Sequence, residues 1–379
     1  MSEQARRASA SLKFNGQDVQ IQLNDKLESI TYKDVASGES DSVELIVENK
    51  DQKWMRAWKP VFGDTISGTM DFYRWYNVTT PKQTISLGNL VVDSLQFKGS
   101  DSTAKIGALA VPYNSGWRLT VRTKTWEKVT LFGIVDQIAA NNDLVPFTDG
   151  TDIKIDSLEQ SEQTDSEFLL NTCKTYGMYV KIYWNRIVVY DIDKYESKDA
   201  VKTITPEDLD SWSWSEDADG TYTGGRLTYT DANGETIEVL VGNAESAKTK
   251  KTTTKKKKTK TKAKIVVKST AKMTTVESSD PSAEVGNMEQ KRILTLNTKV
   301  SSKKEGERIL IAKINEANRS GLTVEIKCLL DVTLIPSLNV NLSGFGWLDG
   351  KYGIKKVTHS IGTSSDTSAS LYKIPEKFS

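Results

Sequence analysis

The sequence predicts a mainly β chain in which two related β-domains flank a small α+β unit. Short runs rich in β-branched residues, each bounded by Gly, Asn or Asp, occupy both ends of the chain. Apolar residues at helical spacing are confined to the middle and to one stretch near residue 310. One strand pattern also occurs twice.

From Leu12 to Val111 the runs "VELIVEN" (43–49), "DTISGTM" (64–70), "LVVDSLQF" (90–97) and "AKIGALAV" (104–111) predict an all-β segment, closed or nearly so. After Pro112 the period changes. Val129, Phe132, Val135, Ile138 and Ala139 fall at helical spacing, and Asn141 and Asn142 end that run. A second helix is expected with Asp165 or Ser166 as its N-cap, with Phe168, Leu169, Cys173 and Tyr176 on its apolar face and Gly177 as its stop. "MYVKIYW" and "RIVVYD" then form a hairpin turning at Asn185. Strands return from Trp212, and "GRLTYTDANGETIEVLVG" is a hairpin by its alternation and its Asn233-Gly234 turn. A helix over Lys303 to Asn318 buries Ile309, Ala312, Ile314 and Ala317 and is closed by Gly321. "LTVEIKCLLDVTLI", "LNVNLSG", "YGIKKVTHS" and "SASLYKI" complete the chain as strands.

The repeated pattern lies in "PVFGDTISG" (60–68) and "PSLNVNLSG" (336–344) and in the strands that follow them. Gly88, Leu90, Val92, Leu95 and Phe97 match Gly350, Tyr352, Ile354, Val357 and His359 in every spacing. In both strands the apolar parity changes after the second large residue, which predicts a β-bulge at the same place in each. The single histidine, His359, therefore stands where the first copy has Phe97, and a structural side chain is expected there.

Charge is unevenly distributed. Residues 248–264, "KTKKTTTKKKKTKTKAK", hold ten lysines in a chain of formal net charge +1, so the remainder carries about −9. Bulk charge thus argues against a nucleic-acid-binding body. A run without apolar residues cannot offset the entropy of ordering it, so a solvated loop is expected, with Lys255, Lys256, Lys257, Lys258 and Lys260 as candidate contacts to a protein partner or a polyanion. The opening "MSEQARRASASLKF" lacks the apolar core of a signal peptide, and no stretch approaches the ~20 apolar residues of a membrane span. Neither export by a classical signal nor stable membrane association is expected.

The sequence offers little chemistry. One histidine on a strand builds no nucleophile triad, and two distant cysteines, Cys173 and Cys328, fit buried free thiols and no zinc spacing. "YTGGRL" and "SGFGWLDG" lack the phosphate-loop patterns and are turns. No catalytic, cofactor-binding or metal residue is assigned, and no cofactor is expected. Fifty acidic residues leave many carboxylate pairs whose separations a sequence does not give, so a glycoside hydrolase stays open as a rival. Trp54, Trp58, Trp75 and Tyr76 suit core or interface positions better than a sugar-binding patch.

"DSVELIVENKDQKWMRAWKPVFGDTISGTM" with "LGNLVVDSLQFKGS" resembles the opening domain of contractile phage-tail baseplate hub proteins, the late control protein D family and its relatives in Gram-positive phages, prophages and tailocins. "WEKVTLFGIVDQIAANNDLVP" and "QTDSEFLLNTCKTYGMYVKIYWNRIVVYD" resemble its middle domain, and "GFGWLDGKYGIKKVTHSIGTSSDTSASLYKI" its closing strands. The resemblance spans most of the chain except residues 244–290. It implies a flexible N-terminus (1–10), a tube-like β-barrel domain (11–113), an α+β middle domain (114–196), a second tube-like barrel (197–243 and 291–379) and a Lys/Thr-rich disordered insertion (244–290). It further implies a homotrimer whose six barrels form a pseudo-sixfold ring joining the tail tube protein to the spike protein. The tape measure protein and baseplate wedge proteins would be neighbours, with no specific nucleic acid. Such a protein is structural and not an enzyme. It would assemble in the bacterial host cytoplasm and reside in a phage baseplate or tailocin particle. The lysine-rich insertion departs from the family, and no lysozyme or peptidase segment is recognised. The rivals are a peptidoglycan hydrolase of the same particle and a polyanion-binding module acting through the lysine run.

Overall fold

The computed structural model describes residues 6–19, 26–77, 79–99, 102–111, 116–231, 233–242 and 292–376. Packing divides the chain into two compact units, one of residues 1–217 with 319–374 and one of residues 218–318 with 375–379.

The first unit begins with β1 (Arg7–Phe14), β2 (Gln17–Asp18), β3 (Leu27–Val35), β4 (Ser42–Glu48), β5 (Thr65–Tyr73), β6 (Gln83–Lys98) and β7 (Thr103–Leu109). The four expected strands are all present. Every second residue of β4 and β7 is buried, the period-two signature of a sheet with one face on a core. That core gathers Leu12, Ile30, Leu45, Ile66, Phe72, Leu90, Val92 and Ile106. Trp54 and Trp75 are buried with it and Trp58 packs against it, so three of the four aromatics considered for a sugar patch line or cover the core.

Next comes the α+β segment: β8 (Val121–Thr130), α1 (Leu131–Asn141), β9 (Val145–Asp149), β10 (Lys154–Thr164), α2 (Asp165–Thr175), β11 (Met178–Tyr183), β12 (Arg186–Asp191) and α3 (Ile192–Glu196). The buried face of α1 is Leu131, Ile134, Val135, Ile138 and Ala139, because Thr130 caps the helix and Val129 belongs to β8. For α2 the cap is Thr164, one residue before the expected position. Its hydroxyl accepts from the Glu167 N–H while the Glu167 carboxylate accepts from the Thr164 N–H, a capping box. Asp165 is instead the first helical residue, buried against Arg122, Asn142 and Gln160.

The second half of the sheet comprises β13 (Ala200–Ile204), β14 (Ser211–Glu216) and, after the second unit, the strands from Leu322 onward. That second unit holds β15 (Gly224–Thr230), β16 (Thr236–Gly242), β17 (Ile293–Asn297) and α4 (Lys303–Asn318). β15 pairs antiparallel with β16 and parallel with β17, and α4 packs on β15 and β16. Gly225 allows the helix to approach, since a Cβ there would lie 2.6 Å from Leu310 Cδ1. Leu310 and Ile314 are fully buried, as is Leu227, while Ala317 at the helix end is only half-buried. Residues 218–242 and 292–318, which the sequence assigns to the second β-domain, thus pack on one another in a unit of their own.

The first unit is completed by β18 (Leu322–Leu329), β19 (Asn339–Leu342), β20 (Gly350–Ile361) and β21 (Asp366–Lys373). Their core contains Val324, Ile326, Val340, Tyr352, Ile354, Val357 and Leu371. All the strands of both halves belong to one thirteen-stranded sheet, ordered β14-β18-β21-β20-β3-β4-β7-β6-β5-β1-β2, with β13 and β19 attached at β20.

The duplication is visible in the registers. Against β7, the register of β6 shifts between Val92 and Ser94. Against β21, that of β20 shifts between Ile354 and Lys356. Asp93 and Lys355 are therefore the extra residues of two bulges at matching places, and both are exposed. The preceding blocks match differently from their sequences. Leu90 faces Ile66 and Tyr352 faces Val340, so Val340 occupies the place of Ile66, and the Ile-Ser-Gly and Leu-Ser-Gly triplets are out of step by two residues. A two-residue slip keeps the same side chains on the core face, which is why the sequence echo conceals it.

Candidate functional site

The groups capable of chemistry are built into the fold. His359 is 4% exposed, and its Nδ1 lies 2.9 Å from Thr367 Oγ1. Burial lowers its pKa to about 4, against the pull of Asp34 and Asp331, so the ring is neutral at pH 7. Cys173 and Cys328 are free and buried, with thiol pKa values raised by burial, that of Cys328 to about 12. Among the described residues no group of three His, Cys, Asp or Glu side chains could hold a metal ion, and no helix is long and apolar enough to cross a membrane. The lysines singled out in the sequence, Lys255 to Lys258 and Lys260, lie outside the described residues.

Buried charges instead tie the α+β segment to each half of the sheet. Toward the first half, Lys181 of β11 reaches Asp34 at 2.7 Å and Asp41 at 3.1 Å. Asp41 also accepts from the Val35 N–H at 3.0 Å. Burial raises the Asp41 pKa to about 7 despite Lys181; the ammonium is held above its usual range because the two carboxylates outweigh its own burial. The Tyr190 hydroxyl donates to the Ala36 carbonyl at 2.8 Å. Toward the second half, Arg319 binds Glu196 of α3 through two nitrogens, at 2.6 and 3.1 Å, and Asp193 at 2.9 Å. Tyr372 of β21 donates to the same Glu196 at 3.0 Å, and Asn339 of β19 donates to the carbonyls of Tyr195 and Lys198, each at 2.9 Å.

The feature that this arrangement secures is the joint between the halves. β3 runs antiparallel to the part of β20 beyond its bulge, from Lys356 opposite Val35 to Ile361 opposite Ile30. His359 lies directly opposite Tyr32, and both are buried. A strand of one half thus completes the sheet of the other by backbone pairing, a mode of recognition that needs complementary edges and no reactive group.

Sequence reasoning missed the other edge of functional interest. β14, "SWSWSE", pairs with β18 and has no second strand neighbour among the described residues. Trp212 and Trp214 lie opposite the core residues Ile326 and Val324, yet remain 42% and 46% exposed. They stack edge-on against Phe345 and Trp347. The signal was legible: tryptophan at alternate positions between serines marks one large apolar face on an otherwise polar strand.

No family model matches the chain. Among curated proteins it is 23% identical over 373 residues to the "Probable baseplate hub protein" of Escherichia phage 186, covering 94% of this chain and 90% of that protein. It is 24% identical over 221 residues to the corresponding protein of Escherichia phage P2, covering 56% of this chain and 54% of the relative. Among solved structures, the 43 kDa tail protein of prophage MuSo2 from Shewanella oneidensis shares its fold with a TM-score of 0.63, at 12% identity, over 97% of this chain and 98% of that one. Along nearly its whole length the chain is similar in sequence to a phage baseplate hub protein, and it shares the fold of a prophage tail protein.

Proposed function

We propose that the protein is a structural baseplate hub, an adaptor ring between a tail tube and a spike. The observation that carries this reading is the duplication: one chain builds the same bulged strand unit twice and joins the two copies edge to edge through β3 and β20. Three such chains offer six near-equivalent units, and that number meets a sixfold tube protein on one side and a threefold spike protein on the other. The two halves of the sheet serve as the tube-like barrel domains expected at 11–113 and within 197–243 and 291–379. The tape measure protein and baseplate wedge proteins are its further neighbours, and the segment with Lys255 to Lys258 and Lys260 contacts one of them. The protein acts by backbone pairing and shape, breaks no covalent bond, is assembled in the bacterial cytoplasm and stays in the mature baseplate.

Mass measurement and negative-stain imaging of the purified chain test this. The expected result is a trimer of ring shape that releases nothing from peptidoglycan. A monomer at assembly concentrations, or hydrolysis of peptidoglycan, overturns the reading.

A further inference from the structure

The registers assign every strand of the β3–β20 joint a counterpart elsewhere in the chain. β6 corresponds to β20 through the shared bulge. β7 pairs with β4 as β21 pairs with β18, which makes β4 and β18 counterparts. β3 lies on β4 with Ile30 opposite Leu45, and β14 lies on β18 with Trp212 opposite Ile326, so β14 is the counterpart of β3. In the joint, β3 covers β20 beyond the bulge. The counterpart stretch of β6 begins at Ser94, and β5, whose ladder with β6 ends at Val91, leaves it uncovered. The chain therefore contains one completed joint and both separate edges of a second.

Those edges do not meet within one chain, since six strands of the sheet lie between β14 and β6. Their side chains carry the mark of a missing partner. At the completed joint Ile30, Tyr32, Val357 and His359 are all at most 4% exposed. Their counterparts Trp212 and Trp214 are exposed, and Leu95 and Phe97 are only half-buried on the core. An uncovered strand edge with large apolar side chains on its core face is a template for another strand.

We propose that β14 of one copy adds antiparallel to residues 94–98 of β6 in a second copy, repeating the β3–β20 joint between chains. This rests on the hub reading and names the contact that closes the ring. Carrying the internal register across places Trp214 opposite Phe97 and Ser215 opposite Gln96, as Tyr32 is opposite His359 and Lys33 opposite Thr358. Each copy offers one strand and one edge, a head-to-tail contact that closes when its rotation permits, here after three chains. Pairing sequesters Trp212, Trp214, Leu95 and Phe97 together and extends both cores into one another.

A disulfide tests the register. Ala36 donates its backbone N–H to the Lys355 carbonyl at 2.9 Å, so Lys33 and Thr358 form one of the closer, non-hydrogen-bonded pairs of that ladder. Their counterparts Ser215 and Gln96 are exposed and polar, and Cα atoms in such a pair lie within disulfide reach. Gln96→Cys with Ser215→Cys, oxidised at native conditions, is expected to shift the denatured, unreduced chain to two- and three-chain masses. Neither single variant should do so. Gln96→Cys with Ser211→Cys, displaced by about 13 Å along the strand, should not either. Trp214→Asp is expected to abolish association while the chain stays folded by circular dichroism. A trimer that forms without the cross-link, or that cross-links equally in the Ser211 control, overturns the pairing and leaves the hub reading intact. A monomer overturns both.

Discussion

The two halves of the sheet share a strand plan and differ in what holds and covers them. Leu90, Val92 and the bulge at Asp93 have counterparts in Tyr352, Ile354 and the bulge at Lys355. The α+β segment, however, grips the first half through a lysine between two carboxylates and the second through an arginine on one buried glutamate. Beyond the bulge, β20 is covered by β3 of its own chain, whereas β6 keeps that edge open. Duplication therefore supplied a common frame, and the differences lie where the copies meet other surfaces. A chain with two identical halves would have two identical edges and no distinction between an internal joint and an external one.

Removing an anchor breaks this comparison most strongly. Arg319→Ala leaves Glu196, 4% exposed, without its guanidinium, and about 3–5 kcal/mol of stability should be lost in urea unfolding. Lys181→Met should cost less, about 2 kcal/mol, because Asp41, already raised to about 7, can shed its charge by taking up a proton. Equal losses would show that the two grips are equivalent after all.

His359→Phe gives the second half the residue of the first and sharpens the comparison through pH. The folded pKa of His359 lies near 4, below its ordinary 6.5, so between these values the unfolded chain binds a proton that the folded chain does not. Its contribution is therefore fully present above pH 6.5 and lost as pH falls toward 4. Between pH 7 and pH 5 the native protein should lose roughly 2 kcal/mol through this group, and the phenylalanine variant should lack that slope. Parallel pH profiles for the two proteins would refute the assignment. The smallest effect on stability is expected from deleting residues 248–264, which follow β16 and precede β17 in the chain. Unfolding midpoint and oligomeric mass should stay unchanged while retention by one baseplate partner falls; loss of the trimer would show that the run is structural.

Much of the site was legible before the fold was known. The parity change after Val92 and Ile354 announced both bulges, because alternation is a local property of a strand and an extra residue breaks it wherever the strand pairs. His359 was placed by its spacing from Gly350, Tyr352 and Ile354 for the same reason. The slipped Pro-to-Gly blocks were not legible, since a shift of two preserves the buried face and only the partner strand reveals it. Nor was the separate unit of residues 218–318, whose hairpin and helix were each foreseen while their mutual packing was not.

The sequence by itself determined the local periods: which residues alternate, where the three longer helices lie to within about two residues, where bulges fall, and that chemistry-bearing residues are few. Tertiary structure alone decided which edges meet. Strand pairing joins residues hundreds of positions apart through backbone groups that every residue possesses, so neither β3 on β20 nor the open edge of β6 leaves a mark in composition, and only the alternating tryptophans of β14 show one. Burial then gave those edges their meaning, since the same apolar side chain is core beside a partner strand and docking surface without one.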